Sequence, residues 1–191
     1  AYGMGAMVPN TVILGANENE KTLPRYLQMI DHIYQRNRHI LVMHTREEGR
    51  TFGRQAQIDL WWGGLKGNGG LMMVLAHLTR THPEWWGAQV TIKMVVKPGA
   101  VEGTRQNLKQ LVEKTRTHCA IEVLESTGPI NEVIPEESRA ADLVYMGLKR
   151  PDQDYVSYYQ KQQQMLEEMP TTVLCLAADE VAFDFILMPD A

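Results

Sequence analysis

The apolar positions of this chain fall into short continuous runs separated by stretches of helical spacing. Residues 10–15 (NTVILG), 39–44 (HILVMH), 58–62 (IDLWW), 90–96 (VTIKMVV), 120–124 (AIEVL), 143–146 (LVYM) and 171–176 (TTVLCL) read as strands. Between them, Tyr26, Leu27, Ile30, Ile33 and Tyr34 recur at the period of a helix, as do Leu108, Leu111 and Val112. Ile130, Val133 and Ile134 mark a short helical patch beside Pro135, and Val156, Tyr159, Leu166 and Met169 a longer helix. Strands that alternate with helices predict an α/β fold with a mostly parallel sheet. Runs that are apolar throughout, rather than alternating, predict helices on both faces of that sheet.

The segment from residue 58 to 78, IDLWWGGLKGNGGLMMVLAHL, holds a strand, a glycine-dense stretch at 63–70 and an apolar helix with Leu71, Val74, Leu75 and Leu78 on one face. Backbone amides at a helix N-terminus attract anions, which makes Asn68, Gly69 and Gly70 a candidate anion site. The stretch lacks the Lys-Ser/Thr pair of a P-loop and the GxGxxG spacing. A tight turn that lets the helix pack close to the strand is the preferred reading. The adjacent Trp61 and Trp62 point to opposite faces of a strand, so one is expected in the core and the other at a contact. Trp62, Trp85 and Trp86 are candidate interdomain or dimer contacts.

Composition narrows the function. The chain has 191 residues, 44% of them hydrophobic, 22% charged, and a net charge of −4. It lacks the basic clusters that nucleic-acid binding requires. Two cysteines, Cys119 and Cys175, fall at predicted strands and are expected to be buried free thiols in a reducing compartment. No apolar run reaches the ~20 residues of a membrane helix. The opening AYGMG has no initiator methionine, so a longer polypeptide is expected. His77 and His82 stand five apart and do not share a helix face, so no metal is expected, and the histidines are read as surface or capping residues. Ser126, Ser138 and Ser157 are the only serines, and none lies in GxSxG. The pairs Glu47-Glu48 and Glu136-Glu137 read as solvated. No catalytic constellation and no cofactor are expected.

Two resemblances enter here. The run ADLVYMG at 141–147 looks like the fourth strand of the universal stress protein fold. In nucleotide-binding members that strand leads into a glycine-rich phosphate loop. Here Leu148-Lys149-Arg150-Pro151 follows, and no glycine occurs after Gly147. More specifically, the stretch 3–15 (GMGAMVPNTVILG), Ile58-Asp59-Leu60-Trp61-Trp62 with Gly69-Gly70-Leu71, and Met169-Pro170 with the strand 171–176 resemble, in order, the cytosolic C-terminal domain of cation-chloride cotransporters. Arg46-Glu47-Glu48-Gly49 is similar to that family's Arg-Glu-Gly. Asn68 stands where members often carry Asp. The acidic insertions of animal members are absent between Ser126 and Ala140, as in a compact prokaryotic-type member.

This resemblance implies a universal-stress-like fold: residues 1–50 would be the C-terminal part of a first α/β unit and 51–191 a second unit. It implies a non-catalytic regulatory and dimerisation domain of an electroneutral Na+/K+/Cl− cotransporter on the cytoplasmic side of the membrane. Its partners would be a second copy and the transmembrane domain of the same polypeptide. The alternative is a free-standing universal-stress-like nucleotide-binding protein.

Overall fold

The structure is a computed structural model that describes residues 9–45, 52–63, 66–113, 118–152 and 154–178. Its strands are β1 (Thr11–Gly15), β2 (His39–His44), β3 (Gln57–Trp61), β4 (Gln89–Val96), β5 (Ala120–Glu125), β6 (Leu143–Gly147) and β7 (Thr172–Leu176). The helices are α1 (Leu23–Tyr34), α2 (Lys66–Arg80), α3 (Val101–Glu113), α4 (Ile130–Glu137) and α5 (Tyr155–Leu166), with a 3-10 turn at Pro83–Trp85. The strands form one sheet in the order β1-β2-β7-β6-β3-β4-β5. Every pairing is parallel except β2 with β7. The α/β fold with a mostly parallel, two-sided sheet is therefore as the apolar runs predict.

Helices cover both faces, and the pleat sorts residues between them. Ile40, Val42, Trp61, Val144, Met146, Leu174 and Leu176 pack in one cluster with α1, α4 and α5. Their neighbours Leu41, Ile58, Leu60, Leu143, Tyr145 and Cys175 pack in the other, under α2 and α3. Helix α1 shows how sequence spacing becomes packing. Leu23, Leu27, Ile30 and Tyr34 are its buried positions, each worth about 1.5–3 kcal/mol of apolar transfer when fully buried. Pro24 sits in its first turn, where the absent N–H costs nothing.

The parts of the sheet repeat. In β1–α1–β2, Gly15 pairs with Met43; in β6–α5–β7, Gly147 pairs with Cys175, each residue 132 positions after its counterpart. The helices, Leu23–Tyr34 and Tyr155–Leu166, are offset by the same 132 positions. So are the bonds that close the strand ends: Ala16 N–H donates to the Met43 carbonyl at 2.9 Å, and Leu148 N–H to that of Cys175 at 2.8 Å. The division expected near residue 50 falls outside the described residues. The strands on either side of it share one sheet through β2 and β7.

Several expectations change. Gly67, Gly69 and Gly70 lie inside α2 rather than in a loop. The buried face of α2 carries Leu71, Met72, Met73 and Ala76, while Leu78 is 55% exposed. The reason is that α2 lies across β3, β6 and β7, with its own start pressed under Trp62. Val156 is 45% exposed, because α5 turns Tyr155 and Tyr159 inward instead. Cys119 precedes β5 and is half-buried, whereas Cys175 is fully buried. His39 is buried rather than at the surface: its Nδ1 accepts the Ala178 N–H at 2.9 Å. The Arg46–Gly49 motif, the pair Glu47-Glu48 and residues 3–8 of the 3–15 motif lie outside the described residues.

Candidate functional site

The crossovers leave β3 and β6, neighbours in the sheet, in opposite directions and on opposite faces. Such a switch point opens a crevice beyond the carboxyl ends of the strands, where α/β proteins bind ligands. A cleft of about 450 Å³ lies there, lined by Gly67, Asn68, Leu148, Lys149, Arg150 and Asp152, among others.

The cleft is braced by its own side chains. Asn68, 6% exposed, accepts the Ala177 N–H at 2.8 Å and donates to the Leu148 carbonyl at 2.9 Å. It therefore ties α2 to the ends of both β6 and β7. Gly147 packs closely beneath it: a Cβ there would stand 3.2 Å from the Asn68 amide nitrogen. At the mouth, Lys149 pairs with Asp152, which raises the lysine pKa and lowers that of the carboxyl, chiefly through their hydrogen bond. Arg150 lies 4.8 Å over the Tyr34 ring. Of the candidate anion residues, Asn68 directs its amide to protein groups, and Gly69 sits against the Trp62 ring, where a Cβ would come within 2.3 Å. Gly70 is buried within α2.

A second cleft, of about 810 Å³, occupies the repeat-related place at the ends of β1 and β2. Ala16, Glu18, Glu20, His44, Thr45 and Leu166 line it where Leu148, Arg150, Asp152, Leu176, Ala177 and Tyr34 line the first. It is larger, and among the described residues no helix start closes it as Gly67 and Asn68 close the other. Its rim is acidic where the first has Arg150. Among the described residues no three His, Cys, Asp or Glu side chains are grouped to hold a metal.

The tryptophans divide by environment. Trp61 is buried and donates to Ser138 Oγ at 2.8 Å. Trp62 packs partly buried against the opposite core. Trp85 is 6% exposed, with Phe52 edge-on at 5.7 Å, and Trp86 is 78% exposed. Trp86 is thus the candidate contact residue with its ring in solvent.

Sequence reasoning missed a buried polar network. Lys93 Nζ lies 3.0 Å from Asp59 and 3.6 Å from Glu122, and donates to the Glu137 carbonyl at the end of α4. Asp59 also accepts from Gln57 at 2.8 Å. Burial nonetheless dominates and holds the Asp59 carboxyl above the usual carboxylate range. The one signal was a charged residue inside each of two strand-like runs, IDLWW and VTIKMVV.

No protein-family model matches the chain, and no curated protein sequence matches it significantly. Solved structures do. The cytoplasmic domain of a prokaryotic cation chloride cotransporter superposes with a TM-score of 0.69 at 18% identity, over 94% of this chain and 68% of that one. A universal stress protein from Archaeoglobus fulgidus superposes with a TM-score of 0.56 at 10% identity, over 90% of this chain and 62% of that one. The fold is thus a universal-stress-like α/β fold. At these identities the likeness speaks for the fold. No described helix is long and apolar enough to cross a membrane.

Proposed function

We propose that this chain is a non-catalytic regulatory and dimerisation domain of an electroneutral cation-chloride cotransporter, standing on the cytoplasmic side of the membrane. The observation that carries the reading is the superposition on a cotransporter cytoplasmic domain over 94% of the chain. The ordered motifs around Trp61-Trp62, Gly69-Gly70 and Met169-Pro170 support it, as does a switch-point cleft braced by Asn68 rather than left open.

The repeat supports the two-unit organisation. Residues 1–50 are then the C-terminal part of a first unit, and 51–191 a second. Ile13 and Tyr145 hold equivalent places in β1 and β6. Tyr145 is 5% exposed under α2, with its hydroxyl 2.8 Å from that of Thr79, whereas Ile13 is 69% exposed. Beside Ile13 lies an apolar groove of about 270 Å³ that includes Leu41, Met43 and Phe52. In a complete unit a helix equivalent to α2 would fill it, and a strand equivalent to β3 would pair with the edge of β1 that has no partner strand among the described residues.

The test is the gene and its product. The open reading frame should encode hydrophobic spans upstream of residue 1, and deletion of this domain should lower chloride-dependent cation uptake by the whole protein. Light scattering should give a homodimer. A reading frame without spans would sink the assignment; a strict monomer at high concentration would remove the dimerisation role alone.

A second reading, a nucleotide-binding stress protein, is favoured by one observation, the 450 Å³ cleft at the switch point. A thermal-shift titration separates the two. ATP at a hundred times its dissociation constant would stabilise the fold by about 2.7 kcal/mol, and no shift removes this reading.

A further inference from the structure

At the opposite end of the sheet, away from the switch point, α2 ends beside the starts of β4 and β5. A cavity of about 270 Å³ lies there. Its floor is apolar: Met73, Ala76 and Val90. Arg80, His77 and His118 stand around it, and Trp86 borders it. The volume falls just below the range of about 300–1,000 Å³ typical of drug-sized ligands, so an occupant would be small.

Two observations single out this cavity. Arg80 is anchored: its Nη1 donates to the His118 carbonyl at 3.3 Å. Its Nε–H is buried, yet has no acceptor among the described groups. A guanidinium keeps its charge at all ordinary pH and has only donors to offer. A guanidinium with an unfilled donor favours an anionic partner, and Arg80 as a whole is only half-buried. The second observation is Trp86. It follows a 3-10 turn in which His82 Nδ1 caps the Glu84 N–H and Trp86 N–H bonds the Pro83 carbonyl. This holds a large ring at the cavity while leaving it 78% in solvent. The neighbouring Trp85, by contrast, is sealed in the core. A chain of net charge −4 thus gathers an arginine, two histidines and an unshielded indole around one apolar hollow.

We propose that this cavity binds a small amphiphilic carboxylate, with an aromatic or short aliphatic body. The carboxylate meets Arg80, and the body lies on Met73, Ala76 and Val90 beneath the Trp86 ring. Arg80 supplies charge and direction; Trp86 supplies apolar area at low entropic cost. The switch-point cleft plays no part, so the site stands or falls apart from the transporter reading.

Phenylacetate is the probe, with benzyl alcohol as the neutral control and acetate as the anion without a body. In two-dimensional NMR, phenylacetate should shift the Trp86 indole N–H saturably, with a Kd of about 1 mM or tighter. Benzyl alcohol and acetate should each bind at least about tenfold more weakly. Trp86→Ala, at an exposed position, should weaken phenylacetate about tenfold without loss of fold. Arg80→Met should abolish the preference for phenylacetate over benzyl alcohol. No saturable shift up to about 10 mM overturns the proposal. So does equal binding of phenylacetate and benzyl alcohol by the unmodified protein, or phenylacetate affinity unchanged in Trp86→Ala.

Discussion

Val42 and Leu174 face each other across the antiparallel junction of β2 and β7, and they are equivalent residues of the repeat, 132 positions apart. On either side, Leu41 pairs with Cys175 and Met43 with Val173, so each pair is the symmetry mate of the other. The junction therefore has a local two-fold relation centred on Val42 and Leu174. Both are wholly buried in one cluster with α1 and α5. A junction inside a single core should not open separately from the rest. Leu174→Ala should cost about 2–5 kcal/mol by leaving a cavity. In hydrogen exchange, β2 and β7 amides should lose protection together. Early exchange of β2 alone would show instead that the first segment unfolds independently.

A second prediction concerns Asp142, at the start of β6. Its carboxylate accepts the N–H groups of Arg54, Ala56 and Gln57 at 2.7–3.0 Å and so fixes the entry to β3. Hydrogen bonds to a charged group contribute about 1.5–3 kcal/mol. Asp142→Ala should lower stability by about 2–3 kcal/mol in urea unfolding. Gly53→Ala should act on the same staple, because φ is +48° there and a Cβ would stand 2.0 Å from the Asp142 carboxylate. A neutral result for both would show that the staple is not needed.

Gly69 is held by Trp62, whose ring atoms would lie 2.3–2.6 Å from an added Cβ. Gly69→Ala improves helix propensity by up to about 1 kcal/mol, but overpacking costs about 1–3 kcal/mol. The net expectation is destabilisation with altered near-ultraviolet circular dichroism from the displaced indole. A stabilised variant with an unchanged spectrum would contradict this.

The pH dependence of stability should carry the mark of Asp59. Burial holds its carboxyl above the ordinary value, against the opposing pull of Gln57 and Lys93. The folded state thus binds this proton more tightly than the unfolded state does. The contribution is fully present below the ordinary carboxylate pKa, and is lost as pH rises through the raised folded value. Asp59→Asn should remove that falling limb from the urea midpoint measured against pH. An identical slope in the variant would refute the assignment. Lys93→Met, which leaves Asp59 buried without its cation, should cost about 3–5 kcal/mol near neutral pH.

The cysteines should differ in reactivity. Cys175 is wholly buried, and burial pushes its thiol far above the usual range. Cys119 is half-buried. The thiolate is the reactive species, so a disulfide reagent should label Cys119 in the native protein, and Cys175 only after unfolding. Equal native labelling would count against the packing around β7.

The strands were legible in the sequence because a sheet covered on both faces needs continuous apolar runs, and 39–44 coincides with β2 at both ends. The start of α2 was not legible. Glycine weakens a helix, and only the seating of Gly69 under Trp62 and Gly67 against Ala177 accounts for glycines within one. The repeat was also hidden. Across 11–44 and 143–176 the residues shared at equivalent places are Val12/Val144, Gly15/Gly147, Tyr26/Tyr158 and Gln28/Gln160. Core positions require apolar volume rather than particular side chains, so the two halves keep one geometry with little common sequence.

Local pattern therefore specified the elements and the fold class, since periodicity and burial are properties of neighbouring residues. The antiparallel junction, the Asn68 brace, the contrast between bare Ile13 and covered Tyr145, and the cavity at Arg80 and Trp86 arose only on folding. Each joins residues far apart in the chain, and no local propensity encodes which distant backbone group a side chain will meet. The same holds for the glycine-rich segment after Trp62. Read along the chain it resembles a phosphate loop; folded, it is the packed start of a helix.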